Sequence, residues 1–226
     1  MVIDNFNIIY NRLLGFDKPG DFYLILILKR RKDFKEVVDG VNEDNRMIKH
    51  YFVYSVDYLK QKEAAIKRLC EDNDARAYIL PQRRFCPLVM RQLAAKCIAM
   101  IDSVNTHFDH LIRSVVAGCH NVDPTRKNLK RWVVDIDIEN LEVKTRDCLD
   151  SFVKDVVESI SDVIKMFKSG NPNDIIVVPT THGAHIITPP FNRGPDVAKT
   201  IFRKGFDASC IKEDAMALLY HSRKED

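Results

Sequence analysis

The sequence predicts an α/β or α+β protein whose sheet is covered by helices, and three observations favour these classes. Short apolar runs typical of strands alternate along the chain with long segments that repeat apolar residues every three or four positions, as amphipathic helices do. Hydrophobic residues make up 46% of the 226 residues and charged residues 30%, which is a globular composition. The 8 Gly and 9 Pro residues leave little linker material, so a chain of this length can bury a substantial core.

Residues 1–86 predict an N-terminal arm followed by a βαβ unit. Ser55 is an N-cap candidate, because its hydroxyl can accept a hydrogen bond from the first turn of a helix, and Pro81 closes the last strand of this part. The predicted elements are an arm or helix at 1–20, strands at 22–28, 47–54 and 75–80, and a helix at 56–70. We assign the arm and first strands to 1–50 and the βαβ unit to 51–86.

Residues 87–226 predict a second unit built on two long helices. Apolar residues recur at helical spacing over 88–116 and over 146–167, and the segment 132–138 has the alternation of a strand. The other predicted elements are strands at 174–178 and 184–188 around a tight turn at 180–183, a helix at 194–203, and last strands at 209–211 and 217–220. Together the two parts are expected to form a single catalytic-type domain.

Charge, cysteine content and hydropathy argue against several other classes. The net charge is only +3, so binding to nucleic acid would require local basic patches. The 6 Cys residues include no C-x-x-C pair, which disfavours a zinc site and a disulfide framework. The longest apolar run covers residues 22–28, far below the roughly 20 residues of a membrane span. We therefore expect a soluble, cytoplasmic protein without a membrane partner.

Two carboxylates share one face of the strand at 132–138. Side chains alternate along a strand, so Asp135 and Asp137 point to one side while Val134 and Ile136 point to the other. Carboxylates within about 7 Å of each other repel unless a cation neutralises them. Oxygen ligands of this kind are those that Mg²⁺ and Mn²⁺ prefer. The pattern indicates a divalent-metal site, and the alternative is a solvated polar face.

A histidine element and a later aspartate are further candidates. His185 follows the tight turn, and Gly183 two residues earlier permits the close approach of a ligand. His185 could donate a hydrogen bond to a phosphate, or it could be a half-buried structural residue. A third carboxylate could be Asp207 or Asp214, although each could also be a cap or a solvated residue. A Ser-His-Asp hydrolase is disfavoured because no G-x-S-x-G turn occurs.

Taken in order, these segments resemble the three motifs of the archaeo-eukaryotic primase superfamily, which includes the primase-polymerases. The first motif is Val133-Val-Asp135-Ile-Asp137, the second is Gly183-Ala-His185, and the third is Phe206-Asp207. The resemblance extends over residues 52–220. This sequence departs from the family at Gly183, where Ser is common, and the third motif can also be drawn at Asp214.

The resemblance implies a primase-polymerase-like catalytic fold, in which an N-terminal αβ unit packs on an RRM-like unit with a mixed or antiparallel sheet and flanking helices. It implies a metal-dependent nucleotidyltransferase that adds nucleoside triphosphates on a single-stranded template or a primer-template. The implied ligands of Mg²⁺ or Mn²⁺ are Asp135, Asp137 and Asp207. The residues implied to bind the nucleotide are His185, Thr181 and Gly183. A separate helicase or replication protein is an expected partner, because no helicase domain accompanies the motifs.

Basic residues near these motifs predict a path for nucleic acid. Phosphate neutralisation by such residues gives binding that depends on salt and not on sequence, whereas the alternative is a solvated charged face. The candidate contacts are Arg83, Arg84, Arg126, Lys127, Lys130 and Arg131. Two other functions stay open: a non-catalytic nucleic-acid-binding or assembly protein on a primase-like fold, and a metal-dependent nuclease.

Overall fold

The structure is a computed structural model that describes residues 1–30, 46–101, 111–118, 130–140, 145–191 and 210–222. Over these residues the protein is α+β, with two antiparallel sheets and flanking helices, which confirms the fold class expected from the sequence. In chain order the elements are β1 (Val2–Asp4), α1 (Phe6–Ile8) followed by a π-helical turn (Ile9–Leu13), β2 (Asp21–Lys29), β3 (Arg46–Val53), α2 (Val56–Asn73), β4 (Arg76–Ile79), β5 (Arg84–Phe85), α3 (Cys86–Ile101), α4 (Leu111–Gly118), β6 (Trp132–Asp137), α5 (Arg146–Phe167), β7 (Ile176–Pro179), β8 (Gly183–Thr188), β9 (Ile211–Lys212) and β10 (Ala217–Ser222).

The first sheet has the strand order β1-β10-β4-β2-β3, and β5 pairs with the start of β2. Its interior strand β2 is a continuous apolar run because helices cover both of its faces. Ile25 and Ile27 lie in the core that contains α2, whereas Phe22 and Leu24 lie in the core that contains α3 and α4. The long apolar run therefore places β2 at the centre of a three-layer arrangement.

The second sheet has the strand order β7-β8-β6-β9, and α5 covers one of its faces. The helix is amphipathic, and the apolar residues from Leu149 to Ile164 on its inner side are buried. They pack against Val134, Ile136 and Ile186, which all point to the same side of β6 and β8. This contact accounts for one half of the alternating pattern in β6.

The opposite face of the second sheet turns toward the first sheet. Val133, Val178 and Ile187 on this face join the core that the first sheet forms with α2. Because side chains alternate along β6, Asp135 and Asp137 lie on the same face as Val133, where the strand changes from buried to half-buried. The carboxylate pair is therefore held at the boundary between the two sheets.

Buried side chains join the two sheets along one edge of β10. The pairing of β1 with β10 ends at Asp4, and beyond it the N–H of Asn5 donates to the carbonyl of Leu219 at 3.0 Å, whereas the backbone groups of Leu218 bond to side chains. Asn5 is buried, and its Nδ2 donates to the carbonyl of Leu218 at 3.0 Å and to the carbonyl of Pro179 at 2.9 Å. The backbone N–H of Leu218 donates to His185 on β8 at 3.0 Å. The edge of the first sheet is thus satisfied by groups that belong to, or bond to, the second sheet.

Local signals in the sequence are confirmed. The hydroxyl of Ser55 accepts a bond from the N–H of Tyr58 at 3.0 Å and caps α2. The tight turn at 180–183 closes with a bond from the N–H of Thr180 to the carbonyl of Gly183 at 2.9 Å. Among the described residues no helix is both long enough and apolar enough to cross a membrane.

Elements that depend on distant partners differ from the sequence prediction. The segment predicted as an arm or helix at 1–20 is the strand β1 followed by a short helical stretch, because residues 2–4 pair with the last strand of the chain. Where one helix was expected at 88–116 there are α3 and α4, with 102–110 outside the described residues. Helices α3 and α4 pack on the first sheet and β10 pairs within it, although the sequence assigned residues 87–226 to a second unit. The two sheets are therefore not divided at residue 87. The helix expected at 194–203 also lies outside the described residues.

We predict that Asn5→Ala lowers the free energy of unfolding by roughly 1–3 kcal/mol, because it removes the donor that two carbonyl groups in the interior share. Urea unfolding followed by circular dichroism measures the effect. Asn11→Ala is the matched control, since Asn11 is exposed and its amide bonds to Asn7 on the same turn. Equal stability of the two variants would show that Asn5 does not join the sheets.

Candidate functional site

The pairing of β6 with β8 brings the first two sequence motifs together. In this antiparallel register Asp135 lies opposite His185, and Asp137 lies opposite Gly183. Directly opposed residues on one face of an antiparallel pair have neighbouring side chains. The Nε2 atom of His185 accordingly lies 3.3 Å from Oδ1 of Asp135. The two motifs, 50 residues apart in the sequence, form one cluster.

Two hydrogen bonds orient the imidazole of His185. Its Nδ1 atom accepts the backbone N–H of Leu218 at 3.0 Å, so in this arrangement the ring proton is on Nε2 and points toward Asp135. The side chain is 13% exposed, which leaves its position determined by the two sheets and not by solvent. The structure therefore gives this histidine one defined tautomer and one direction in which it can donate.

Asp135 lies between two cationic or donor groups. Besides His185, the ammonium of Lys212 on β9 lies 2.8 Å from Oδ2 of Asp135. The hydrogen bond from His185, together with the bond and charge of Lys212, holds the pKa of Asp135 well below its ordinary value, although partial burial opposes the shift. The carboxylate is consequently ionised under ordinary conditions, with one oxygen facing each partner.

Asp137 is in a different environment at the end of the strand. Its Oδ1 atom accepts the backbone N–H of Glu139 at 3.3 Å, and in the described part of the chain no cationic side chain pairs with it. On the facing strand, a Cβ atom at Gly183 would overlap the carbonyl oxygen of Ile136. Gly183 is therefore required for β8 to approach β6, which gives a structural reason for glycine where a serine is common in the resembling family.

The sequence left two candidates for a third carboxylate beside Asp135 and Asp137, namely Asp207 and Asp214. Asp207 lies outside the described residues. Asp214 accepts a bond from Gln82 at 2.9 Å, and the same amide nitrogen donates to the carbonyl of Arg131 at 3.1 Å. Arg131 precedes Asp135 by four residues on an extended segment, which corresponds to about 13 Å. That separation argues against Asp214 as a ligand shared with Asp135.

Thr181 lies in the turn before β8 but makes a different contact from the one expected. Its Oγ1 atom is 3.0 Å from Nδ1 of His221, a buried residue of β10. The hydroxyl thus links the turn to the first sheet, and its expected contact with a nucleotide phosphate stays a prediction.

The structure places Arg83 and Arg84 in the interior, where they support the fold. Arg83 donates to the carbonyl of Gly15 and lies 2.6 Å from a carboxylate oxygen of Asp17, and it is 6% exposed. Arg84 is 3% exposed and donates through Nε to the carbonyl of Val116 at 3.0 Å, which ties α4 to β5. A buried guanidinium with such partners does not present its charge to a phosphate backbone, so the predicted nucleic-acid contact is corrected to a structural role at both positions.

The second basic cluster lies at the start of β6. Lys130 pairs with Glu213 at 3.1 Å, and Arg131 pairs with Asp174 at 3.0 Å. Lys130 is half-exposed, whereas the Arg131 side chain is 15% exposed. Arg126 and Lys127 lie outside the described residues, so their expected contacts stay predictions.

Two features of the structure were missed by the sequence analysis. Lys212 was not singled out, because its position beside Asp135 depends on the pairing of β9 with β6. A groove of about 470 Å³ on β3 and α2 was also missed. It presents the stacked rings of Tyr54 and Tyr58, with centroids 4.4 Å apart, between Lys49 and Lys62. The signal available in the sequence was the concentration of Tyr and Lys residues over 49–62.

The side chains are of the type that binds a divalent cation, but they supply only part of a coordination site. Asp135 and Asp137 are hard oxygen donors on one face of one strand. Across the described ranges no group of three or more His, Cys, Asp or Glu side chains is arranged to hold a metal ion. A complete site would need a further ligand beyond this pair, and Lys212 now occupies one oxygen of Asp135.

Comparison with protein-family models, with curated proteins and with solved structures finds no match to this chain. The class of protein that the fold defines is therefore an α+β protein with two facing antiparallel sheets and a carboxylate–histidine cluster between them.

We predict that Gly183→Ser lowers the free energy of unfolding by about 1–3 kcal/mol, because the new Cβ meets the backbone of β6 and cannot move away without breaking the strand pair. Thermal unfolding measures the loss. Gly118→Ser is the control, since a Cβ at Gly118 meets nothing within 4 Å. A Gly183→Ser protein as stable as this control would mean that the strands tolerate a side chain there.

Proposed function

We propose that the protein is a metal-dependent nucleotidyltransferase of primase-polymerase type, on a primase-polymerase-like form of its α+β fold. The observation that carries the proposal is the β6–β8 register, which sets His185 opposite Asp135 and beside Asp137 at the boundary of the two sheets. Asp135 and Asp137 would hold Mg²⁺ or Mn²⁺, and Asp207 is the proposed third ligand. A cation bound there would activate a 3′-hydroxyl and neutralise charge on the triphosphate.

The chain's own residues would bind and orient the substrates. Because Nδ1 of His185 is occupied by the N–H of Leu218, Nε2 is the atom of the ring that can donate to a phosphate oxygen. Gly183 lets β8 lie close against β6 and so holds His185 beside Asp135, and its proposed contact with a nucleotide would be made through its backbone. An anionic substrate would thus meet a directed donor on one strand and the metal ligands on the next.

One observation favours a second candidate, a non-catalytic nucleic-acid-binding or assembly protein on the same fold. Asp135 already has Lys212 as a counter-ion, and the described residues supply two carboxylates where two-metal catalysis needs more. Such a protein would bind nucleic acid without adding nucleotides. The metal-dependent nuclease, the remaining alternative, would degrade the nucleic acid in the absence of nucleotides.

The aromatic groove supplies a surface for the proposed single-stranded partner. Tyr54 is 61% exposed, and its ring stacks against Tyr58. The described residues that line the groove include Lys49 and Lys62 and no carboxylate. Exposed aromatic rings between cations suit the stacking of successive bases along a neutralised phosphate backbone. The groove replaces Arg83 and Arg84 in the proposed path of the nucleic acid, because those two side chains are buried.

We predict that Asp135→Ala/Asp137→Ala reduces nucleotide addition at least about a hundredfold, because the variant loses both oxygen ligands on β6. The measurement is incorporation of labelled nucleotides on a primed and an unprimed single-stranded template with Mn²⁺. Asp150→Ala/Asp162→Ala removes two exposed carboxylates of α5 and serves as the control.

The circular dichroism spectrum of each variant checks that the fold is retained. Unchanged incorporation by the β6 variant would overturn the assignment. Nucleic-acid binding without incorporation by the unaltered protein would favour the non-catalytic candidate.

We predict that Tyr54→Ala/Tyr58→Ala weakens binding of a labelled single strand by about tenfold or more, since stacking on an aromatic ring contributes roughly 1–3 kcal/mol per base. Fluorescence anisotropy at several salt concentrations measures the affinity. Met166→Ala/Phe167→Ala, which truncates two exposed apolar side chains at the end of α5, is the control. Equal affinity of the two double variants would remove the groove from the path.

A further inference from the structure

We propose that Lys212 is a resident counter-ion of Asp135 that a divalent cation must displace in order to bind. The inference rests on the metal site of the proposed function and concerns its regulation. Lys212 and a metal ion would compete for the same carboxylate oxygen, so the protein carries its own competitor for the cation.

Each carboxylate oxygen of Asp135 already has a partner. Oδ1 faces Nε2 of His185 at 3.3 Å, and Oδ2 faces the ammonium of Lys212 at 2.8 Å. A cation held by Asp135 together with Asp137 needs at least one of these oxygens. A divalent ion and an ammonium cannot share an oxygen at bonding distance without strong repulsion, so one of the two present partners has to leave.

The two partners of Asp135, His185 and Lys212, differ in mobility. His185 is 13% exposed, and the N–H of Leu218 holds its other nitrogen. Lys212 is 49% exposed, lies on the two-residue edge strand β9, and reaches Asp135 through a flexible four-carbon stem. A half-exposed ion pair of this kind is screened by water and contributes little to stability. Lys212 is therefore the partner that yields, while His185 stays in place.

Lys212 also offsets the negative charge of the two carboxylates on β6. Asp135 and Asp137 lie on one face of β6 within about 7 Å of each other, so their negative charges repel. In the absence of metal the ammonium of Lys212 offsets part of that repulsion. After a metal ion has displaced it, the ion performs the same task, and the ammonium turns to solvent. In both states a cation therefore offsets repulsion between the two carboxylates, and this distinguishes a counter-ion from an ordinary surface ion pair.

The test is the affinity of the full chain for Mn²⁺, measured from free Mn²⁺ by electron paramagnetic resonance in the absence of nucleotides. We expect Lys212→Met to bind Mn²⁺ roughly five- to twentyfold more tightly than the unaltered protein, because the competing charge is gone and the apolar stem is kept. Lys212→Arg, which keeps the charge, should not show this gain. Lys165→Met is the control, because it removes the charge of an exposed lysine on α5 that also pairs with a carboxylate.

A second readout separates competition from a structural effect. Without metal, Lys212→Met should melt close to the unaltered protein, and saturating Mn²⁺ should raise the melting temperature of the variant by a larger amount. In Asp135→Asn/Lys212→Met the gain in Mn²⁺ affinity should disappear, which localises the competition to the one carboxylate.

The outcomes distinguish this inference from the proposed function. If the unaltered protein and Lys212→Met bind Mn²⁺ equally well, the competition is refuted and the metal site stands. If neither binds Mn²⁺, the carboxylate pair is not a metal site, and the inference falls together with the metal-dependent function. If Lys212→Met gains affinity but no form of the protein adds nucleotides, the counter-ion role holds and the catalytic proposal fails.

Discussion

The hydrogen bond from the N–H of Leu218 to Nδ1 of His185 connects the candidate site to the architecture that holds it. Buried backbone donors need partners, and beyond the bond from Asn5 to Leu219 the N–H of Leu218 finds its partner in a side chain of the second sheet. The β-bulge between Leu218 and Tyr220 shifts the pairing with β4 at this point. The same bond that satisfies the strand edge also orients the imidazole toward Asp135. The relative position of the sheets and the chemistry of the histidine are consequently one constraint.

From this bond outward, the site divides into a fixed half and an exchangeable half. His185 and Gly183 belong to the fixed half, because the β6–β8 pairing and the first sheet determine their positions. Lys212 belongs to the other half, because it is half-exposed and lies on an edge strand. Asp135 meets both. Preorganised donors favour specific recognition of an anionic group, and under the proposed function an exchangeable charge would let the carboxylates exist without a cation.

The parts of this arrangement that are local in sequence could be predicted, and the parts that depend on distant partners could not. The alternation around Asp135 and the cap at Ser55 are set within a few residues, and both elements form where expected. The same reasoning predicted that Arg83 and Arg84 contact nucleic acid, which would require both side chains to be at the surface. Their burial follows from Asp17, Gly15 and the α4 carbonyl of Val116, which come near through tertiary packing alone. Lys212 escaped notice for the same reason.

The placement of β10 beside β1 has a consequence for how the molecule assembles. Residues 2–4 pair with residues 220–222, so the first sheet is completed by contacts between segments that lie far apart in the sequence. Such pairings carry a large entropy of loop closure and tend to form slowly. During synthesis, the donor that orients His185 emerges with Leu218, after the acidic strand and the histidine have both been made. The cluster would therefore remain unassembled on a nascent chain until Leu218 has left the ribosome.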